Sequence, residues 1–480
     1  MKSKVLPYTF AMAVFAASAA PTWVPAQGKE PHTQFVTPQV LRPLGRPVQY
    51  LIVNPGGLGG TQARSNSINN RGWMTGWSNL AGDAVEHAVL WRDSQVVDLG
   101  TLGGLNSIIE WPVLNESGLI VGGAETGEPD PYGENFCLMN NPTGVCRAFL
   151  WDKGAMTALP TLGGPDSYAL GVNASGEMIG WSELAGADPD CLAPQVYNWH
   201  GFTYRQGTIR DLPPLTGDTM SAALGINDVG EIVGATGICG NANTMGWGVT
   251  RHAVLWRRDG SVIDLGSLGG VVGNPNNFFG GFGGTDINNR GQVCGLSDLT
   301  GDQTTHAFFW EDGVMTDLGT LPGDYLSVAW GIGDSGQVLG QSCDVNFNCR
   351  GFIWQDGVMT DVNALLPPGS TLYVVDANFI NAAGEITGQA VDLVTGDMPA
   401  ILMIPCSETA NAACHAEAQG DVRVQLSQHH RDVIRQPAAI WAPVSRYLAR
   451  RNWGRTGSNR TCEIGGGGRE SDRRHSLESE

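Results

Sequence analysis

Four histidines sit where they could do chemistry together. His87, His200, His252 and His306 open matching apolar stretches: His87 to Trp91, His200 to Tyr204, His252 to Trp256 and His306 to Trp310. Imidazoles at equivalent points of a ring could hold a metal or sense pH. The sequence also offers each a simpler partner downstream, Asp98, Asp211, Asp264 or Asp317. Between His306 and Asp317 lies Asp312-Gly313, the preferred pair for a two-residue type I′ hairpin turn. Such a turn sets Asp317 opposite Phe308, with His306 the next residue on that face. A diagonal His–Asp contact is then in reach. Four structural pairs are expected, with no metal ligand, no cofactor and no catalytic residue assigned.

The cysteines suggest an oxidising compartment. Of ten, Cys137 and Cys146, Cys343 and Cys349, and Cys406 and Cys414 come as close pairs. Cys191 and Cys239 lie in corresponding insertions of neighbouring repeats. These are four disulfide candidates, although spacing alone does not fix connectivity.

Aromatic residues could serve recognition. Trp77 and Trp181 each follow a glycine, in Thr75-Gly76-Trp77-Ser78 and Ile179-Gly180-Trp181-Ser182. Rings there could stack on a sugar or peptide, or pack between repeat units, and both readings stand. Trp247 falls in a later insertion. These three are the binding candidates. Gly333-Asp334-Ser335-Gly336 looks like a serine-nucleophile stretch but aligns with a repeat turn and is read as one.

That turn, Ile-Asn-x-x-Gly, organises the chain. It recurs at Asn69, Asn115, Asn173, Asn227, Asn288, Gly333 and Asn381, at steps of 45 to 61 residues. Such a period marks an array of units that cannot bury their apolar faces alone. Each unit reads as an approach to the turn, a strand after it, the His/Arg-x-x-x-Trp strand, and an Asp-Leu-Gly-x-Leu element. Short apolar runs bounded by Gly, Asn and Asp are strand signals. Only six copies of the last element follow a third strand. The seventh stands at the start, where Tyr50-Leu51-Ile52-Val53 precedes Asn54-Pro55-Gly56. The N-terminal strand therefore completes the last unit. The expected fold is all-β: a seven-bladed β-propeller of four-stranded blades over 46–404, closed by an N-terminal strand.

His-Ala-Phe-Phe-Trp, Asp-Leu-Gly-Thr-Leu and Ile-Asn-x-x-Gly together resemble the bacterial HAF-repeat family of extracellular repeat proteins. The resemblance covers residue 50 to about 404. It implies export and a repeat scaffold, and brings no ligand or catalytic residues.

Composition fits that picture. Charged residues are 16% of the chain and Gly is 67 of 480, against roughly 25% charged in ordinary globular proteins. The net charge is −19. From residue 420 on, 11 Arg stand against 7 acidic residues (+4), leaving −23 on the rest. So acidic a body excludes nucleic acid as a partner. Residues 1–26 read as a secretory signal peptide, with Lys2 and Lys4 before an apolar stretch and cleavage after Ala19 or Ala26. No later stretch is long and apolar enough for a transmembrane segment. Residues 405–480 read as a tail, with a short amphipathic helix at 437–453 and disorder beyond it. Insertions in repeats two, three and four, rich in Asn, Pro, Gly and Cys, fall on one face, where repeat arrays often bind. The chain is expected to be secreted, extracellular or periplasmic, and to act as a binding or scaffold module for a glycan, peptide or protein. The alternative is a propeller enzyme acting on extracellular glycans.

Overall fold

The computed structural model describes residues 48–406, together with 424–431 and 434; within the first span 131, 133–135, 138, 140–143, 192–194, 240–248 and 272–281 are outside the description. The signal-peptide segment, the 437–453 segment, Trp247 and Cys414 also lie outside the described residues.

Seven antiparallel four-stranded sheets follow one another as the blades of a β-propeller. Blade one is Gly59–Ile68, Met74–Leu80, Glu86–Arg92 and Gln95–Asp98. Blade seven is Leu372–Ile380, Ile386–Asp392 and Ala400–Pro405, and its outermost strand is Tyr50–Val53 from the other end of the chain. Tyr50 pairs with Pro405 and Val53 with Leu402. The ring is thus closed by the first strand, as the split repeat requires. First strands line the axis, where those of blades three to seven and one meet their neighbours.

Strand alternation divides the repeat between two faces. The Asn-x-x-Gly turns and the third-to-fourth-strand hairpin turns lie on one face, here called lower. The loops between second and third strands, and those between blades, lie on the upper face. Asp312 and Gly313 have φ of 50° and 85°, so this hairpin turn is of the expected type I′. In blade four, Asp259-Gly260 instead sits in a longer turn, where Arg257 N–H donates to Ser261 O at 2.9 Å. The outermost strands are half exposed, as in Gln95–Asp98 and Ala155–Ala158. The other strands are mostly buried.

One device recurs that the sequence pattern hid. In six blades the first strand shifts register just before the turn, as between Ser65 and Ser67 or between Ala329 and Gly331. A bulge sharpens twist and re-aims a side chain; here it brings Asn66, Trp330 and Asn378 to the axis. The second strand answers with glycine. A Cβ on Gly340 would lie 2.0 Å from Val328 O, and one on Gly76 would lie 1.9 Å from Arg64 O. Only glycine permits that approach.

Candidate functional site

Three histidines meet the aspartates expected of them. Nδ1 of His87, His200 and His306 lies 2.9, 2.8 and 2.9 Å from Asp98, Asp211 and Asp317. Phe308 stands opposite Asp317 in the ladder, the register the hairpin demanded. His87 Nε2 also reaches Leu105 O at 3.1 Å, and His200 Nε2 reaches Thr219 O at 3.3 Å. His87 and His200 therefore bridge their own blades to the next.

His252 breaks the expected pattern. Its partner is Asp218, at 2.8 Å, and not Asp264, which accepts the Gly266 N–H at 2.9 Å. Asp218 stands two residues before the first strand of the same blade. Its carboxylate is 2% exposed and is held by the Thr236 hydroxyl at 2.6 Å. It offers a buried, pre-oriented acceptor, where Asp264 offers an exposed one. Blade six has the same arrangement with a longer cation: Arg350 spans both Asp361 and Asp324, each at 3.0 Å. The signal was the Gly-Asp pair at 217–218 and 323–324. Among the described residues, no three His, Cys, Asp or Glu side chains come close enough to hold a metal ion.

At mid-axis, Arg64 lies between two acids. Its Nη1 donates to Glu110 at 3.1 Å, and its Nη2 donates to Asp376 and, at 3.1 Å, to Asn378 Oδ1. Its guanidinium lies 5.8 Å from the Trp330 ring centroid. Burial pushes the Glu110 carboxyl up to about 7 despite the neighbouring Arg64, and raises Asp376 in the same way. Removing one partner would strand a buried charge. The three residues come from blades one, two and seven, so the cluster clasps the ring across its closure. All three stand five positions before the repeat Asn, where the other blades carry Tyr168, Ala222, Gly283 and Val328. That contrast was legible in the sequence and was missed.

The lower end of the axis opens into a cavity of about 310 Å³. Its wall is a relay of asparagines. The side-chain amides of Asn69, Asn115, Asn173, Asn227, Asn288 and Asn381 each donate to the backbone carbonyl at the same position of the next blade, at 3.0–3.3 Å. Their Oδ1 atoms close their own turns, as Asn173 does for Ser175 and Glu177. Gly333 is the gap: a Cβ there would meet Ile380 Cγ2 at 2.8 Å. A second ring runs one residue on. Asn70, Ala174, Asp228, Asn289 and Ala382 donate their backbone N–H to the side chains of Glu116, Asp228, Asn289, Asp334 and Asn70. Where the acceptor would be Ala174 or Ala382, no side chain can accept.

Asp286 also lines this cavity, and burial pushes its carboxyl up to about 7. It accepts the Ile332 N–H of the next blade at 3.0 Å. Asp286, Glu116, Asp228 and Asp334 thus gather around one cavity, yet each latches one blade to its neighbour.

The upper face is built differently. The described parts of the insertions of blades two, three and four adjoin in one sector. Cys137–Cys146 closes the blade-two loop, and Cys191–Cys239 ties the loops of blades three and four. Cys343–Cys349 closes the loop of blade six. Cys406 is disulfide-bonded as well. Beneath the sector, Phe136 meets Trp181 and Trp199 edge-on at 6.4 and 6.3 Å, and Trp111 and Tyr168 pack on Trp181 at 6.3 and 5.7 Å. Trp181 is 1% exposed and Trp77 5%. Both are therefore core rings, which corrects their reading as stacking surfaces; the glycine before each lets the second strand run against the first and turns the ring into the blade interface. Among the described residues, the aromatic edge left to solvent is Tyr132, 47% exposed, paired with the half-buried Tyr197 at 5.6 Å. Neither tyrosine belongs to the repeat motif, so periodicity did not single them out.

No family model and no curated protein matches the chain. Solved structures do, at low similarity. A gluconolactonase from Xanthomonas campestris is 12% identical over 74% of this chain and 89% of its own, with a TM-score of 0.32. A puromycin-hydrolyzing peptidase from Mycobacterium tuberculosis is 11% identical over 75% and 56%, with a TM-score of 0.41. The Aleuria aurantia lectin is 8% identical over 74% and 100%, with a TM-score of 0.27. Such likeness carries no functional argument; the blade count rests on the strand pairing.

Proposed function

We propose that this chain is an exported binding module of the HAF-repeat type that recognises a glycan, peptide or protein through the upper-face sector of blades two to four. The observation that carries the reading is the construction of that sector. Among the described residues, the blade-two and blade-three insertions share one aromatic core, Cys137–Cys146 and Cys191–Cys239 tie the insertions, and Tyr132 and Tyr197 edge the surface. Disulfide ties reduce the entropy that loops lose on binding. Tyrosine adds large contact area with few rotors and a polar tip. Export is supported by the disulfides and by the signal-like residues 1–26. Among the described residues no helix is long and apolar enough to cross a membrane.

The enzyme alternative is favoured by the carboxylates at the lower cavity. Their bonds weigh against it, because each already accepts a backbone N–H from another blade. Glycan and peptide arrays probed with the wild-type chain and with a Tyr132→Ser/Tyr197→Ser variant test the proposal. Array ligands should be lost in the variant while its melting temperature holds. Turnover of an array glycan, abolished by Asp286→Asn and untouched by the tyrosine changes, would favour the enzyme.

A further inference from the structure

The upper end of the axis is closed by the chain's own C-terminal segment. Residues 424–427 cross blades six and seven without regular secondary structure, residues 428–431 make a helical turn, and Ile434 follows. Leu426 and Ile434 are 3% and 5% exposed, in a cluster with Trp330, Val375, Tyr373 and Met398. Ile434 sits over Arg64, Asp376, Gln341 and Gln389, leaving about 10 Å³ beneath it, room for about one water. Two polar contacts anchor the segment. Leu426 N–H donates to Asn348 Oδ1 at 2.9 Å, and His430 Nε2 lies 2.9 Å from Gly396 O. Asn348 and Gly396 belong to the upper loops of blades six and seven.

This contact has the form of a peptide in a socket. A backbone N–H is read by a side-chain amide, and an aliphatic side chain fills the axial opening. Among the described residues the segment adds no strand to any blade and carries no disulfide. Two buried apolar side chains and two anchors must offset the ordering of the segment, so the hold is modest. Tethering sustains it by raising the local concentration of the segment.

We propose that the upper axial mouth is a peptide-binding site and that residues 424–434 are its tethered, exchangeable occupant. An outside polypeptide with an aliphatic side chain at the place of Ile434 binds there by displacing it. This site lies over blades six and seven and does not depend on the role given to blades two to four.

The test uses a fluorescein-labelled peptide of residues 424–434, titrated against the wild-type chain and a Leu426→Asp/Ile434→Asp variant. The variant expels its own segment and should bind the peptide at least tenfold more tightly than wild type. A peptide carrying Ile434→Asp should not bind. Equal binding to both proteins, or none to a folded variant, overturns the proposal. If the double variant does not fold, a chain ending at residue 423 replaces it. Failure of that chain to fold makes the segment part of the core and overturns the proposal as well.

Discussion

The histidines show how a residue can look chemical and act as a tie. His306 holds Asp317 across its hairpin, and the aspartate is 38% exposed. Solvent weakens such a pair. His306→Ala should therefore lower unfolding free energy by about 1 kcal/mol, measured by urea denaturation, and leave any bound metal unchanged. In blade four, Asp218→Ala should destabilise more than Asp264→Ala, because only the first strips His252 of its acceptor. Asp286 makes a pH prediction. Its carboxyl is held near 7 in the fold, against an ordinary 3.8. Between those values the native state keeps a proton that the unfolded chain releases, so stability falls as pH rises from about 4 to 7, by an amount on the order of 3 kcal/mol. Glu110 acts in the same sense. Asp286→Asn should flatten the slope, and an unchanged slope would mean that Asp286 ionises freely in the fold. The diagonal pairs were legible because hairpin register is arithmetic. Asp218 was not, because its place is set by a loop between blades.

At the scale of the element, the Ile-Asn-x-x-Gly turn does two jobs with one side chain. Its Oδ1 closes the turn, and its amide reaches the next blade. Asn173→Ala should cost about 1–3 kcal/mol. Asn173→Asp should cost more, since it keeps the acceptor but sets a carboxylate against Asn227 O. If Asn173→Asp melts like wild type, the relay contributes nothing. The second-strand glycine is bound to the first-strand bulge, and Gly340→Ala should cost at least about 3 kcal/mol, because a Cβ would clash with fixed backbone. The turn and the glycine could both be read from their recurrence. The bulge could not, because it adds no residue type of its own and shows only as a shift between two strands.

For the whole molecule, the repeat specifies the ring and the departures from it shape the proposed recognition sector. Tyr50 to Val53 announced the closure because a motif was missing at one end and present at the other. The sector of blades two to four was visible as insertions, and the Cys191–Cys239 tie as two cysteines in corresponding insertions. Tyr132 and Tyr197 needed the fold, since nothing periodic places them together. Converting Cys191 and Cys239 to serine should lower stability by about 2–4 kcal/mol and loosen binding while the other blades stay folded. The central claim is that recognition belongs to this sector. The most direct measurement is the affinity of an array-identified ligand for wild type, for Tyr132→Ser/Tyr197→Ser, and for Tyr325→Ser in blade six, where Tyr325 is 42% exposed. Binding should weaken at least tenfold in the paired variant and stay unchanged in Tyr325→Ser. Unchanged affinity in the first, with loss in the second, would contradict the account.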